Sequence, residues 1–238
     1  MELNVIYNVD CIEGIKKIPD GSIDAVITDP PYFLGVTHNG QKGEYSDLII
    51  MKPFFSTLFF EINRVLKKTG KLYMCCDWRT YPFLYPLITE YLPVKNLLVW
   101  NKISGPGNCY TFCHEFIIFA SKGTVNIGGL NIFTIKAFCS GAKATDGEKQ
   151  HPTQKPVALF EKFILESTNE GDVVMDCFMG SGTLAIAAIK TKRKYIGFEI
   201  QEKYCKIAQN RINRFVGDYT KKIENFNNDI NLFSEVEN

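Results

Sequence analysis

The sequence predicts an α/β protein built on one doubly wound, mostly parallel sheet, and three observations carry that prediction. Short apolar runs that end at acids or turns alternate with longer stretches of helical spacing. A strand, a glycine turn, a helix and a second strand follow one another over 173–200. The chain has 238 residues, 45% of them hydrophobic and 22% charged, which suits one packed domain with a small appendage.

Taken in order, 3–8 ("LNVIYN") reads as a strand leading to Asp10, and 23–28 ("IDAVIT") as a second leading to Asp29. Residues 47–70 have helical spacing, an early Pro53 and a stop at Gly70. A buried strand over 71–76 follows, then a helix over 79–91 with Pro82 and Pro86 near its start. Strands at 95–100 and 115–120 are separated by the turn "SGPG", and a helix is expected over 157–167. Residues 121–150 are rich in Gly, Ser, Thr and Lys. They read as an irregular insertion in a domain formed by 1–120 and 151–215. Residues 216–238 are polar and read as a flexible tail.

A net charge of +1 neither proposes nor excludes a polyanionic partner, so any nucleic-acid surface must be a local patch. Glu2 and Asn4 stand where a secretory leader would be basic and then apolar, so none is expected. No apolar run reaches the roughly 18 residues of a membrane span. The eight cysteines contain no CxxC pair, and several lie inside apolar runs. That suits reduced thiols in a cytoplasmic protein. Cys109, Cys113 and His114 come nearest to a metal cluster, but no second ligand pair has matching spacing, and no metal is expected.

The 173–200 unit contains G-x-G-x-x-A at Gly180, Gly182 and Ala185, with Glu199 19 positions beyond Gly180. A glycine turn lets backbone approach a ligand closely, and an acid ending the next strand can accept both ribose hydroxyls. Position argues against a nicotinamide dehydrogenase. Only 66 residues remain from 173 onward, too few for the strands that would have to follow a first glycine loop. The other strands must come from the N-terminal side, a permuted order. Asp176, just before the glycines, would repel a pyrophosphate and suits a sulfonium or ammonium. That points to S-adenosylmethionine.

Two prolines after Asp29 end a strand, since neither can donate a backbone hydrogen bond. If that strand lies beside the glycine strand, Asp29 and Gly180 share one cleft at the carboxyl edge of the sheet. The Asp29 carboxylate and the Pro30 carbonyl are then acceptors for the two N–H bonds of an amino group, stiffened by Pro30 and Pro31. Tyr32 offers a flat face for an extruded base.

With "VDC" (9–11), "DPPY" (29–32), "HPTQKP" (151–156), "DCFMGSGT" (176–183) and "GFEI" (197–200) in this order, the chain resembles the β class of S-adenosylmethionine-dependent DNA amino-methyltransferases. The match covers roughly residues 3 to 215. The resemblance implies a Rossmann-like sheet with Asp29, Pro30, Pro31 and Tyr32 catalytic. It implies that Asp10, with Cys11 beside it, holds the cofactor adenine and that Glu199 holds the ribose. The loop with Asp176, Phe178, Gly180, Ser181, Gly182 and Thr183 would hold the methionine end, with Lys155 passing along the cofactor. Residues 33–46 would close over the base, and 121–150 would recognise the target. Double-stranded DNA is the implied partner, with a homodimer and a cognate restriction endonuclease as further expectations, in a bacterial cell or a phage host. Aspartate in the tetrapeptide favours N6-adenine, with N4-cytosine the nearest alternative. Methylation of RNA or of a protein glutamine is more distant, and a catalytically silent nucleic-acid-binding module is the competing reading from another class.

Overall fold

Alternate residues of the central strands feed two separate cores, and that alternation sets up three layers. A computed structural model describes residues 1–31, 48–103, 105, 110–137 and 154–234; side chains are described from 50 onward in the helix that opens the second of these segments, and up to 218 in the last. On β3 (Leu66–Cys76), Leu72, Met74 and Cys76 enter one core while Tyr73 and Cys75 enter the other. The first core is closed by α1 (Cys11–Ile15), α2 (Leu48–Val65) and α3 (Tyr81–Thr89). The second is closed by α4 (Val157–Ser167), α5 (Thr183–Lys190) and α6 (Glu202–Ser234).

Among the described residues, the remaining strands are β1 (Val5–Tyr7), β2 (Ile23–Thr28), β4 (Val94–Asn101), β5 (His114–Ser121), β6 (Ile132–Thr134), β7 (Val173–Asp176) and β8 (Lys194–Phe198). All eight form one sheet in the order β1-β8-β7-β2-β3-β5-β4-β6. Pairing is parallel except at β5, which runs antiparallel to both β3 and β4. The glycine-loop strand β7 lies between β8 and β2, with Met175 opposite Ile196 on one side and Val26 on the other. The C-terminal unit therefore inserts beside the N-terminal strand, as the permuted order requires.

Three segments differ from their sequence-based expectation. The helix expected to Gly70 ends at Val65, and the chain is already extended from Leu66. Leu66 pairs with Ile23, and the Lys67 ammonium sits 2.8 Å from the Asp24 carboxylate, so sheet pairing overrides helical spacing there. In the segment expected to be irregular, β6 adds an edge strand beside β4. It is anchored by the Trp100 Nε1–H donating to the Ile135 carbonyl at 2.7 Å and by Phe133 packing edge-on to Phe163. Residues 138–150 of that segment lie outside the described residues. At the C-terminus α6 continues to Ser234 through the expected tail. Apolar residues at 212, 216, 219, 223, 226, 230 and 233 recur every three or four positions, a helical spacing that the polar composition concealed.

Candidate active site

Beyond β7 the chain turns on two glycines with different duties. Gly180 (φ +53°) and Gly182 (φ +81°) both occupy the left-handed region that other residues rarely adopt. A Cβ at Gly180 would meet only the Phe178 carbonyl, at 3.8 Å, so a side chain there would enter the cleft. A Cβ at Gly182 would meet Ala208 of α6 at 3.0 Å, so this glycine allows helix packing instead. The Gly180 N–H donates to Glu199 Oε2 at 2.9 Å, tying the turn to the end of β8. Arg211, also on α6, donates to the Ser181 carbonyl and to Thr183 Oγ1, both at 3.2 Å, so these two buried residues are braced from behind.

Asp176 is buried at the floor of the cleft. Its Oδ1 accepts from Thr28 Oγ1 at 2.6 Å and from the Phe178 N–H at 2.9 Å. Burial raises its pKa to about 7; the two hydrogen bonds oppose that rise, and the Asp29 and Glu199 charges add to it. A cation placed here would meet the Asp176 carboxylate directly.

Asp29 follows the last residue of β2, and Thr28, Asp29's neighbour, is the residue that hydrogen-bonds Asp176. The two acids thus end adjacent strands of the sheet. Lys155 Nζ lies 3.1 Å from Asp29 Oδ2 and 2.7 Å from Glu115 Oε2, and Lys102 Nζ lies 3.0 Å from Glu115 Oε1. Four charges of alternating sign therefore run from β4 through β5 and the approach to α4 to the end of β2. Burial would lower the Lys155 pKa, but the Asp29 and Glu115 carboxylates raise it well above the ordinary lysine value. Burial opposes ionisation of Glu115 as well, yet Lys155 and Lys102 hold its pKa down at about 2.

The structure gathers Asp29, Lys155, Asp176, Phe178, Gly180, Ser181 and Thr183 around one cleft. Glu199 reaches it through Gly180. Pro30 is buried and Pro31 exposed, while Tyr32 and 33–46 lie outside the described residues, as do His151, Pro152 and Thr153. Asp10 lies three residues past β1, the strand beyond β8; its Oδ1 caps α1 by accepting from the N–H groups of Ile12 at 2.8 Å and Glu13 at 3.3 Å. Cys11 packs in the first core, where burial pushes its thiol up to about 12. Lys155, expected alongside the cofactor, directs its ammonium to Asp29 and Glu115, while its carbonyl accepts from Thr183 Oγ1 at 3.4 Å. Glu115, Lys102, Thr28 and Arg211 were not foreseen. An acid heading the apolar strand "HEFIIFA" was the available signal for Glu115, whereas nothing local marks Arg211.

Comparison with known proteins agrees with this geometry. A family model described as a DNA methylase matches residues 23–130 and 126–210. The type II methyltransferase M.HinfI of Haemophilus influenzae is 32% identical over 98% of this chain and 72% of its own length. The DNA adenine methyltransferase YhdJ of Escherichia coli K12 is 28% identical over 89% of this chain and 83% of its own. Among solved structures, the M1.HpyAVI–SAM complex superposes with a TM-score of 0.63 at 26% identity, covering 87% of this chain and 97% of that one. The cytosine-N4-specific PvuII methyltransferase, at 20% identity, has a TM-score of 0.70 over 91% of each chain, which speaks to the fold alone. With a family model matching most of the chain and a relative 32% identical over 98% of it, the chain belongs to the N6/N4 family of S-adenosylmethionine-dependent DNA methyltransferases.

Proposed function

We propose that the protein methylates the exocyclic N6 of adenine in DNA, acting on a base extruded from the duplex. The cofactor is S-adenosylmethionine, which supplies a methyl group on a positively charged sulfur. The cleft fits it: Asp176 and Glu199 supply negative charge, and Gly180 leaves space where any side chain would project. Glu199 would accept from the ribose hydroxyls and Asp176 would face the cationic methionine end, with Asp10 near the adenine.

The observation that carries the reading is the placement of Asp29 at the end of β2, beside the strand that ends at Asp176. An aryl amine is a weak nucleophile because its lone pair is drawn into the ring. Acceptance of its two N–H bonds by the Asp29 carboxylate and the Pro30 carbonyl favours a pyramidal nitrogen with its lone pair facing the methyl group. When bound, S-adenosylmethionine would supply the electrophilic methyl group, and Asp29, holding one amine N–H, would pass that proton on to water. Tyr32 is assigned to stacking by its sequence position.

The choice of adenine is supported by aspartate in the tetrapeptide and by the adenine-directed relative YhdJ. The fold likeness to a cytosine-N4 enzyme keeps N4-cytosine as the second reading. Digesting DNA treated with the protein and S-adenosylmethionine to nucleosides decides the matter. N6-methyl-2′-deoxyadenosine is the expected product, and N4-methyl-2′-deoxycytidine would replace the adenine assignment. A homodimer and a partner endonuclease remain proposals from the resemblance, checked by solution mass measurement and co-purification.

A further inference from the structure

We propose that Glu115 and Lys102 are positioning residues for methyl transfer, which through Lys155 fix the orientation of the Asp29 carboxylate toward the target amine. The inference rests on the proposed function of Asp29 and adds two residues, one just past the end of β4 and one on β5, that lie outside every motif of the resemblance.

The geometry is a relay. Asp29 Oδ2 is held by Lys155 at 3.1 Å, Lys155 by Glu115 at 2.7 Å, and Glu115 by Lys102 at 3.0 Å through its other oxygen. All four side chains are largely buried, with Asp29 the most exposed at 18%. Buried ion pairs of this kind contribute little net stability, because desolvation offsets the attraction, so a purely structural role accounts poorly for three of them in series. What they do supply is orientation. A lysine side chain has four rotatable bonds and a point charge, so one carboxylate partner would leave it free to swing. Glu115 gives the ammonium a second fixed partner and is itself held at both oxygens, one by each lysine. Lys155 thus has a defined place from which to set the rotation of Asp29. The Lys155 carbonyl also accepts from Thr183 at the glycine turn, so the same residue links the amine acceptor to the cofactor loop.

Geometry also explains why Asp29 needs such a hold. Asp176 and Asp29 sit close enough for their charges to interact. Repulsion between like charges would rotate the more exposed carboxylate away from the cleft, and Lys155 opposes that rotation.

The test measures transfer of labelled methyl from S-adenosylmethionine to DNA by the full chain, alongside calorimetric cofactor affinity and melting temperature. Glu115→Gln keeps the shape and removes the charge. Its kcat is expected to fall by roughly tenfold or more, because small misplacement of a reacting group is costly, while KM for DNA and cofactor affinity stay near parent values. Lys102→Met should lower kcat by a smaller factor, and Lys102→Arg should restore it. Overturning results are a kcat within about twofold of the parent in both neutral variants, or losses that merely follow melting temperature and cofactor affinity. If Glu115→Gln does not fold, the Lys102 pair decides alone: equal kcat for Met and Arg rejects the relay. A parent that transfers no label rejects the functional reading itself, and the relay with it, whereas an active parent with indifferent variants rejects only the relay.

Discussion

Asp29 stands between two regions of opposite electrostatic design. On the β7–β8 side, Asp176 lines the cleft and Glu199 backs it through Gly180, their negative charge met by hydrogen-bond donors of the protein: Thr28, Phe178, Gly180 and Gln201. On the β4–β5 side, Lys155, Glu115 and Lys102 alternate in sign, and together with Asp29 their charges sum to zero. The difference matches the ligands proposed for each. A cationic cofactor is attracted by a field that the protein leaves negative. A neutral base needs an acceptor held in place without a strong net field, and a self-compensating ion relay supplies that.

The sharpest way to break the comparison is to remove the residue at its centre. Asp29→Ala is expected to lower turnover by on the order of 10³-fold or more, within the range typical of a positioned acid–base or acceptor group. Cofactor affinity should change little, because the attraction on the other side remains. Near-normal turnover would remove Asp29 from the reaction, and a collapse of cofactor binding would mean that the two regions are not separable.

Gly180→Val acts on the cofactor side alone. A left-handed backbone costs an ordinary residue about 1–2 kcal/mol, and a β-branched one more. The added side chain also enters the cleft, since only the Phe178 carbonyl stands near its Cβ position. Calorimetry should show affinity for S-adenosylmethionine reduced by about 100-fold or more, combining strain with occlusion. Gly182→Ala should instead read out as lost stability through its contact with Ala208. Glu199→Gln is milder. Hydrogen bonds to charged groups contribute about 1.5–3 kcal/mol, so affinity should fall about tenfold or somewhat more while turnover at saturation holds. Unchanged affinity would remove Glu199 as the ribose acceptor.

The two regions also differed in how far the sequence disclosed them. The cofactor side was legible because its parts are adjacent in the chain: strand, glycines and helix lie within 173–190, and Glu199 ends the next strand. The position of Asp29 followed from the prolines behind it and from the permuted order. The relay was not legible, because Lys102, Glu115 and Lys155 come from three separate elements and meet only when β5 runs back antiparallel between β3 and β4. Antiparallel return of one strand carries no local signature. Arg211 escaped for a related reason, as its contacts to Ser181 and Thr183 depend on how α6 docks. The edge strand β6 was hidden by its shortness and by the Gly-rich texture around it. The α2–β3 boundary moved because pairing with β2 outweighed a helical pattern.

The smallest expected effect sharpens the comparison through pH. With its pKa raised to about 7 in the ligand-free protein, Asp176 is largely protonated at pH 5.5 and half ionised near pH 7. A cationic ligand favours the ionised form, so binding below pH 7 must also expel a proton. Between pH 7 and 5.5, affinity for S-adenosylmethionine should therefore fall about tenfold. The ligand's own amino group, with a reference value of about 7.7–8.0, stays protonated throughout that window. Glu115, held at about 2, stays ionised as well, so the relay is constant while the cofactor side titrates. The sign reverses for the ligand-free protein. A carboxyl whose folded pKa exceeds its unfolded value binds more protons when folded, so between about pH 4 and 7 this group adds stability as pH falls. Asp176→Asn supplies the control: its amide oxygen can still accept from Thr28 and Phe178, but it carries no charge to titrate. Calorimetry on the variant should show weaker binding with a flat pH profile over the same window. A parent profile that is already flat, or a variant that keeps the parent's slope, would place the titrating group elsewhere and remove Asp176 as the counter-charge of the cofactor.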